Sequence, residues 1–191
     1  MKQVDWSQVR KIHRKIAPLL FLPLLISAAT GVLYRIGRSW FQIPLAWANL
    51  LLNLHQGEYL GEKLVPVYVL SLGLGLLGLL VTGLVLFFRR NHPLRIALSS
   101  PSRRQIHRMA AILGAIPLFV SAITGIALRI GKDWLGLAPS QTALLLKIHQ
   151  GSYWGDQGRP FYILWVGLTL GLLLGTGLPM TRIFSLPRRI R

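Results

Sequence analysis

Four histidines carry the chemistry legible in this chain. His13 and His107 stand ninety-four residues apart, and so do His55 and His149. The first couple sits in the tripeptide IHR ahead of an apolar stretch. The second sits in NLHQGEYLG (53–61) and KIHQGSYWG (147–155), each followed by another such stretch. Two imidazoles with no further ligand are a narrow specification. Zinc takes four protein ligands in structural sites and three plus water in catalytic ones. The chain has no cysteine, and Glu58 near His55 is replaced by Ser152 near His149. Haem iron already holds four pyrrole nitrogens, so two axial histidines complete it, and the closed coordination sphere suits electron transfer. The absence of cysteine also excludes disulfides, thiolate-held iron–sulfur clusters and the C-x-x-C-H attachment of c-type haem. The pairs therefore specify two b-type haems, with His13 and His107 as ligands of one and His55 and His149 as ligands of the other.

The elements that must position these rings come as a duplication. IHRKIAPLLFLPLLISAATGVLYRIGRSW (12–40) aligns without gaps on IHRMAAILGAIPLFVSAITGIALRIGKDW (106–134), with fifteen of twenty-nine positions identical. The pairs Pro23/Pro117, Ser27/Ser121, Thr30/Thr124, Gly31/Gly125, Arg35/Arg129, Pro66/Pro160, Tyr68/Tyr162 and Gly83/Gly177 keep the same register. Self-similarity of this length means a repeated architecture. Repeat 1 covers about 11–90, repeat 2 about 105–185, and 91–104 is a polar, Pro/Ser-rich linker within a single membrane domain, 1–191.

Of the 191 residues, 52% are hydrophobic and 14% charged. Apolar runs near 17–36, 65–88, 109–131 and 161–180 each match the ~20 residues a helix needs to cross ~30 Å of hydrocarbon. Only helices satisfy their own backbone within one segment in lipid. The fold class expected is thus an all-α membrane protein: four transmembrane helices as two parallel hairpin repeats, related by a pseudo-twofold axis along the membrane normal. Between the spans of each hairpin, PLAWANLLLNLHQ and APSQTALLLKIHQ read as short amphipathic helices at the outer face, the second capped by Ser140, among interfacial tryptophans such as Trp40, Trp47 and Trp134. The charged, then apolar, first 36 residues resemble a signal peptide only superficially, because a near copy recurs at 105–131.

The net charge of +17 is explained by topology rather than by nucleic acid. Lys and Arg concentrate in the N-terminal segment, the 89–108 loop and the C-terminal segment, whereas Glu58, Glu62, Asp133 and Asp156 fall on the opposite side. The positive-inside rule puts both termini in the cytoplasm of a plasma (inner) or thylakoid membrane, and the basic tail RRIR suits anionic lipid head groups. His13 and His107 then lie at the cytoplasmic face and His55 and His149 at the outer face. Unpaired His92 reads as a solvated loop residue.

A porphyrin needs close helix approach and cations for its propionates. The small residues of SAxTG supply the first, and Ala17, Leu20, Leu24, Ser27 and Gly31 form one stripe facing inward. Arg14 and Arg108 adjoin the inner histidines; Arg35 and Arg129, with Gly31 and Gly125, lie at the outer level, and all four arginines suit charge-assisted bonds to carboxylates. Gly83 and Gly177 lie at the inner level. From His13 to Gly31 a helix rises about 27 Å, so two such centres would be stacked across the bilayer. Gly167, Gly171 and Gly175 form a GxxxGxxxG series read as helix packing, and Tyr59, Tyr153, Tyr68 and Tyr162 read as interfacial belt residues.

The pattern IHR…P…SAxTG followed by HQGxYxG…G…TG, once per half, resembles the PepSY-associated transmembrane helix family. Larger members resemble membrane-bound ferric or ferrisiderophore reductases with histidine-held b haems and periplasmic PepSY domains. The resemblance implies His13, His55, His107 and His149 as haem ligands. The outer segments here, about 25 residues each, are too short for a PepSY domain, so a short form is implied.

The function expected is a transmembrane b-type cytochrome with two bis-histidine haems, passing electrons to or from a ferric or quinone-type substrate or a larger membrane complex. Membrane lipids and an unidentified electron donor and acceptor are its partners. No G-x-G-x-x-G follows a strand pattern, so nicotinamide or flavin chemistry would come from a partner. The alternative class is a non-redox pigment-binding or assembly subunit of a larger complex. A transporter is disfavoured, since no Asp or Glu falls inside the four spans. Catalytic triads and phosphate loops are absent.

Overall fold

The computed structural model describes residues 5–89 and 101–181. The first apolar run lies within α1 (Trp6–Ser39), capped by Asp5, whose carboxylate accepts from the Ser7 N–H at 2.9 Å. α2 (Leu45–Gln56) and α3 (Val65–Phe88) complete the first half. α4 (Arg103–Asp133) opens with a capping box in which Ser102 and Gln105 satisfy each other's backbone N–H groups. α5 (Pro139–His149) and α6 (Gly155–Gly177) follow. His92, linker residues 91–100 and the RRIR tail lie outside the described residues.

α1, α3, α4 and α6 are long and apolar enough to cross a membrane. α1 and α4 extend well before the apolar runs at 17–36 and 109–131, since hydropathy marks the lipid slab while the helix continues through the basic turns that carry the IHR histidines. Pro18 and Pro23 lie within α1 and Pro117 within α4, where neighbouring helices can accommodate them. Ser140 does not cap α5. Ala138 occupies the N-cap with extended backbone and Pro139 takes the first helical position, where its missing N–H costs nothing.

α1 packs on α3 and α6, and α4 packs on the same two helices, so the first spans of the two halves stand diagonally. Leu24, Leu76, Leu80, Leu118, Ala122, Leu170 and Leu174 form a narrow core between them. Leu19 and Ile116 point outward and are each 77% exposed, as expected of side chains that meet lipid. Small residues let the helices close up: a Cβ on Gly75 would lie 2.5 Å from Leu20, and one on Gly167 would collide with Val32. Among the described residues a Cβ on Gly171 or Gly175 would meet nothing within 4 Å, so there the glycine series serves packing at Gly167.

α2 and α5 cap one end of the bundle, hereafter the capped end. α2 packs on α1 and α5 on α4. The N-termini of α1 and α4 mark the open end.

Candidate functional site: two pairs of imidazoles

At the capped end, the HQG tripeptide finishes each short helix. Gly57 (φ 76°) and Gly151 (φ 64°) adopt the left-handed conformation, which ends a helix at little cost only for glycine. Neither glycine could carry a side chain, because a Cβ on Gly57 would lie 2.6 Å from the Tyr68 ring and one on Gly151 would run into Tyr162. Tyr59 and Tyr153 meet the same two rings edge-on, at 6.4 and 5.8 Å between centroids. The turn is thereby folded onto the start of the next span. Tyr68 and Tyr162 are packing partners of that turn more than belt residues.

This turn delivers the histidine that precedes it. His55 Nδ1 donates to the Ser27 carbonyl at 2.8 Å, and His149 Nδ1 to the Ser121 carbonyl at 3.1 Å. The rings rest on glycine: a Cβ on Gly31 would lie 2.9 Å from His55, and one on Gly125 3.2 Å from His149. The two ring centroids are 6.5 Å apart and tilted by 48°. Two imidazoles that share one metal, each nitrogen about 2 Å from it and about 1 Å in front of its ring centre, would have centroids about 6 Å apart. Burial pushes both rings below the ordinary imidazole pKa; for His149, burial first and the neighbouring His55 second bring it to about 4.

At the open end, His13 and His107 stand on the spanning helices themselves. His13 Nδ1 meets Thr82 Oγ1 at 2.7 Å and His107 Nδ1 meets Thr176 Oγ1 at 2.9 Å. Each threonine donates its hydroxyl proton down its own helix, Thr82 to the Gly78 carbonyl at 2.7 Å and Thr176 to Leu172. Its oxygen is therefore left to accept. Gly83 and Gly177 lie under these rings at would-be Cβ distances of 3.5 and 3.2 Å. Both histidines line one apolar cleft, open at its side, with Ala17, Phe21, Leu24 and Leu80 among its walls.

The hydrogen bonds assign one tautomer to all four rings. Every Nδ1 faces an acceptor, a carbonyl or a hydroxyl whose own proton is committed elsewhere, so Nδ1 carries the proton and Nε2 the lone pair. Among the described residues no Nε2 has a protein hydrogen-bond partner. Nδ1–H held by an acceptor, with Nε2 bare, is the arrangement of a metal-ligating histidine. Nor do three His, Asp or Glu side chains converge among the described residues, which bring together two imidazoles at each end.

The four arginines divide. Arg14 donates to the Thr181 carbonyl at 3.2 Å and Arg35 to the Gln150 amide oxygen at 3.0 Å. Arg129 is engaged by two carboxylates, Glu58 from the other half and Asp133 one turn along its own helix. Arg108 alone keeps a buried Nη2 with no partner; its guanidinium lies 4.9 Å over the Phe87 ring, one residue from His107. An orphaned buried guanidinium nitrogen beside an imidazole pair fits a carboxylate arriving with a bound group.

Thr82 and Thr176 were passed over in the sequence, although both precede a register-keeping glycine and are themselves in register. Arg159 counts in the sequence only as one of the outer-side cations, because the first half has Val65 at its position.

Four spans, two capping helices and two imidazole pairs define a multi-pass membrane protein built around paired histidines. The family model for the PepSY-associated TM region matches residues 36–140, more than half of the chain, and the protein belongs to that family. No curated protein and no solved structure matches it.

Proposed function

We propose that the protein is a membrane b-type cytochrome that carries electrons between the two faces of the bilayer. The carrying observation is the shared tautomer: four imidazoles in two pairs, each held through Nδ1–H with Nε2 bare. His13 and His107 would hold one haem and His55 and His149 the other. Bis-imidazole haem supplies one-electron transfer without an open coordination site.

The chain's own residues supply the rest. Ser27 and Ser121 carbonyls and Thr82 and Thr176 hydroxyls fix the rings and raise their basicity as ligands. The glycines beneath the rings leave room for them, and the leucine-lined cleft keeps water from the open-end pair. Arg108 holds a carboxylate at the open end, with Arg14 beside the other ring. Gly31, which backs His55, lies eighteen residues along α1 from His13, about 27 Å of helix, so each pair serves one leaflet. The charge distribution orients the capped end outward, in a plasma (inner) or thylakoid membrane, with both termini cytoplasmic. Donor and acceptor are a quinone-type or ferric species or a larger membrane complex reached at the two faces.

Reduced-minus-oxidised spectra of the purified chain test this. We expect b-type bands at two haems per chain. His55→Ala should remove about half of the absorbance and leave the open-end centre, and His13→Ala should do the converse. A purified chain devoid of porphyrin, both as isolated and after haem addition, would defeat the reading.

A further inference from the structure

The two arginines of the capped end are equivalent by the repeat but not by charge. Around Arg129 stand two carboxylates, Glu58 and Asp133. Around Arg35 their equivalents are Ser152 and Ser39, and Arg35 Nη2 is met instead by the neutral Gln150 Oε1. A second guanidinium, that of Arg159 in the first turns of α6, belongs to the same end of the α1–α6 seam, where the Trp40 and Phe161 rings meet edge-on at 5.5 Å between centroids. Val65 fills the equivalent position of the first half and is fully buried. Arg159 Nε is buried without a hydrogen-bond partner. The carboxylate that Arg159 reaches, Asp156, meets Nη2 at 3.2 Å from a side chain 94% exposed. An ion pair so exposed offsets little. One knot thus holds one cation with two carboxylates, and the other holds two cations with one solvated carboxylate.

Two guanidiniums gathered at a half-buried place, one with an orphaned N–H, call for an anion with two acceptor oxygens. We propose that Arg35 and Arg159 form a carboxylate-binding site at the capped end of the α1–α6 seam. Arg159 presents its planar fork, and Arg35 supplies a further donor by exchanging its bond to Gln150. The carboxylate comes either from a propionate of the capped-end haem or from a free carboxylate on that face of the membrane; only the first source rests on the haem reading.

The test uses the full chain in detergent, its spectrum recorded first, with Arg159→Gln, Arg35→Gln, Arg159→Lys and, as a charge-loss control on the same helix end, Arg38→Gln. Malonate is titrated at constant ionic strength and thermal unfolding is followed. Haem transfer to apomyoglobin is timed in parallel. A saturable malonate response, weakened about tenfold or more in Arg159→Gln and Arg35→Gln but not in Arg38→Gln, supports a free carboxylate. No malonate response, with haem loss from the capped-end centre quickened about tenfold in Arg159→Gln and in Arg35→Gln, supports a propionate. In both cases Arg159→Lys should fall between wild type and Arg159→Gln, because it keeps the charge but loses the fork. If the chain carries no porphyrin the haem reading fails, and the malonate series decides this site alone. If Arg159→Gln misfolds, Arg35→Gln carries the comparison. Arg35 and Arg159 variants matching Arg38→Gln in both assays overturn the proposal.

Discussion

The two imidazole pairs reach similar chemistry by different routes. The open-end rings, His13 and His107, belong to the spanning helices, so rotation of α1 and α4 aims them, and threonines on the hairpin-partner helices receive their protons. The capped-end rings, His55 and His149, are delivered by short helices ending in left-handed glycines, and backbone carbonyls receive their protons. Side-chain acceptors can be mutated away and backbone acceptors cannot. The open-end pair is therefore tunable by sequence through its threonines, whereas the capped-end pair depends on the shape of its turn.

The largest expected separation of the two ends comes from Thr82→Val, which keeps the volume but leaves the His13 Nδ1–H without an acceptor. We expect haem affinity at the open end to fall about 10- to 100-fold, as for other outer-shell partners, and the capped-end centre to be unchanged, both read by haem transfer kinetics. Equal loss at both ends would show that the threonine acts on the bundle and not on its ring. Gly57→Ala attacks the other end. A side chain at φ 76° whose Cβ lies 2.6 Å from the Tyr68 ring should cost about 1–3 kcal/mol locally, seen as partial loss of the capped-end signal with the open-end signal intact.

A finer comparison uses the glycines beneath the rings. Gly31→Ala puts a methyl 2.9 Å from His55 and must displace it, whereas Gly83→Ala puts one 3.5 Å from His13, an ordinary contact. The first should shift the capped-end spectrum or potential and the second should leave the open end as it was. The smallest effect concerns acid in the haem-free chain. His55 and His149 are held below the ordinary imidazole pKa, His149 at about 4. The contribution of both is then complete above about pH 6.5 and declines as pH falls below it, for His149 toward about 4, because the unfolded rings take up protons first. Amide protection factors across α2 and α5, taken against the intrinsic exchange rate at each pH, should fall over that interval, and a flat profile would mean that the rings are not what holds the caps down.

The repeat made much of this arrangement readable. Four spans, two short helices and the ring-bearing positions followed from apolar length and a constant offset, and the Gly31, Gly125, Gly83 and Gly177 levels coincide with the rings they were expected to accompany. What escaped was tertiary. Nothing local tells that Glu58 meets Arg129, seventy-one residues away, or that Ala138, followed by Pro139, begins α5 in place of a serine cap. Reading by repeat also discards the positions at which the halves disagree. Arg159 against Val65 is such a position, and with Glu58 against Ser152, legible but used only against zinc, it gives the capped end its uneven charge.

Neither hairpin owns a complete pair. His13 shares its cleft with His107, and His55 faces His149, so every ligand couple straddles the junction between the halves. On the proposed haem reading, cofactor insertion and the docking of one hairpin on the other are a single event, and a ribosome that has released only the first hairpin has made only one imidazole of each couple. On that same reading a chain whose halves have not met stays colourless, and colour reports that the two hairpins have docked.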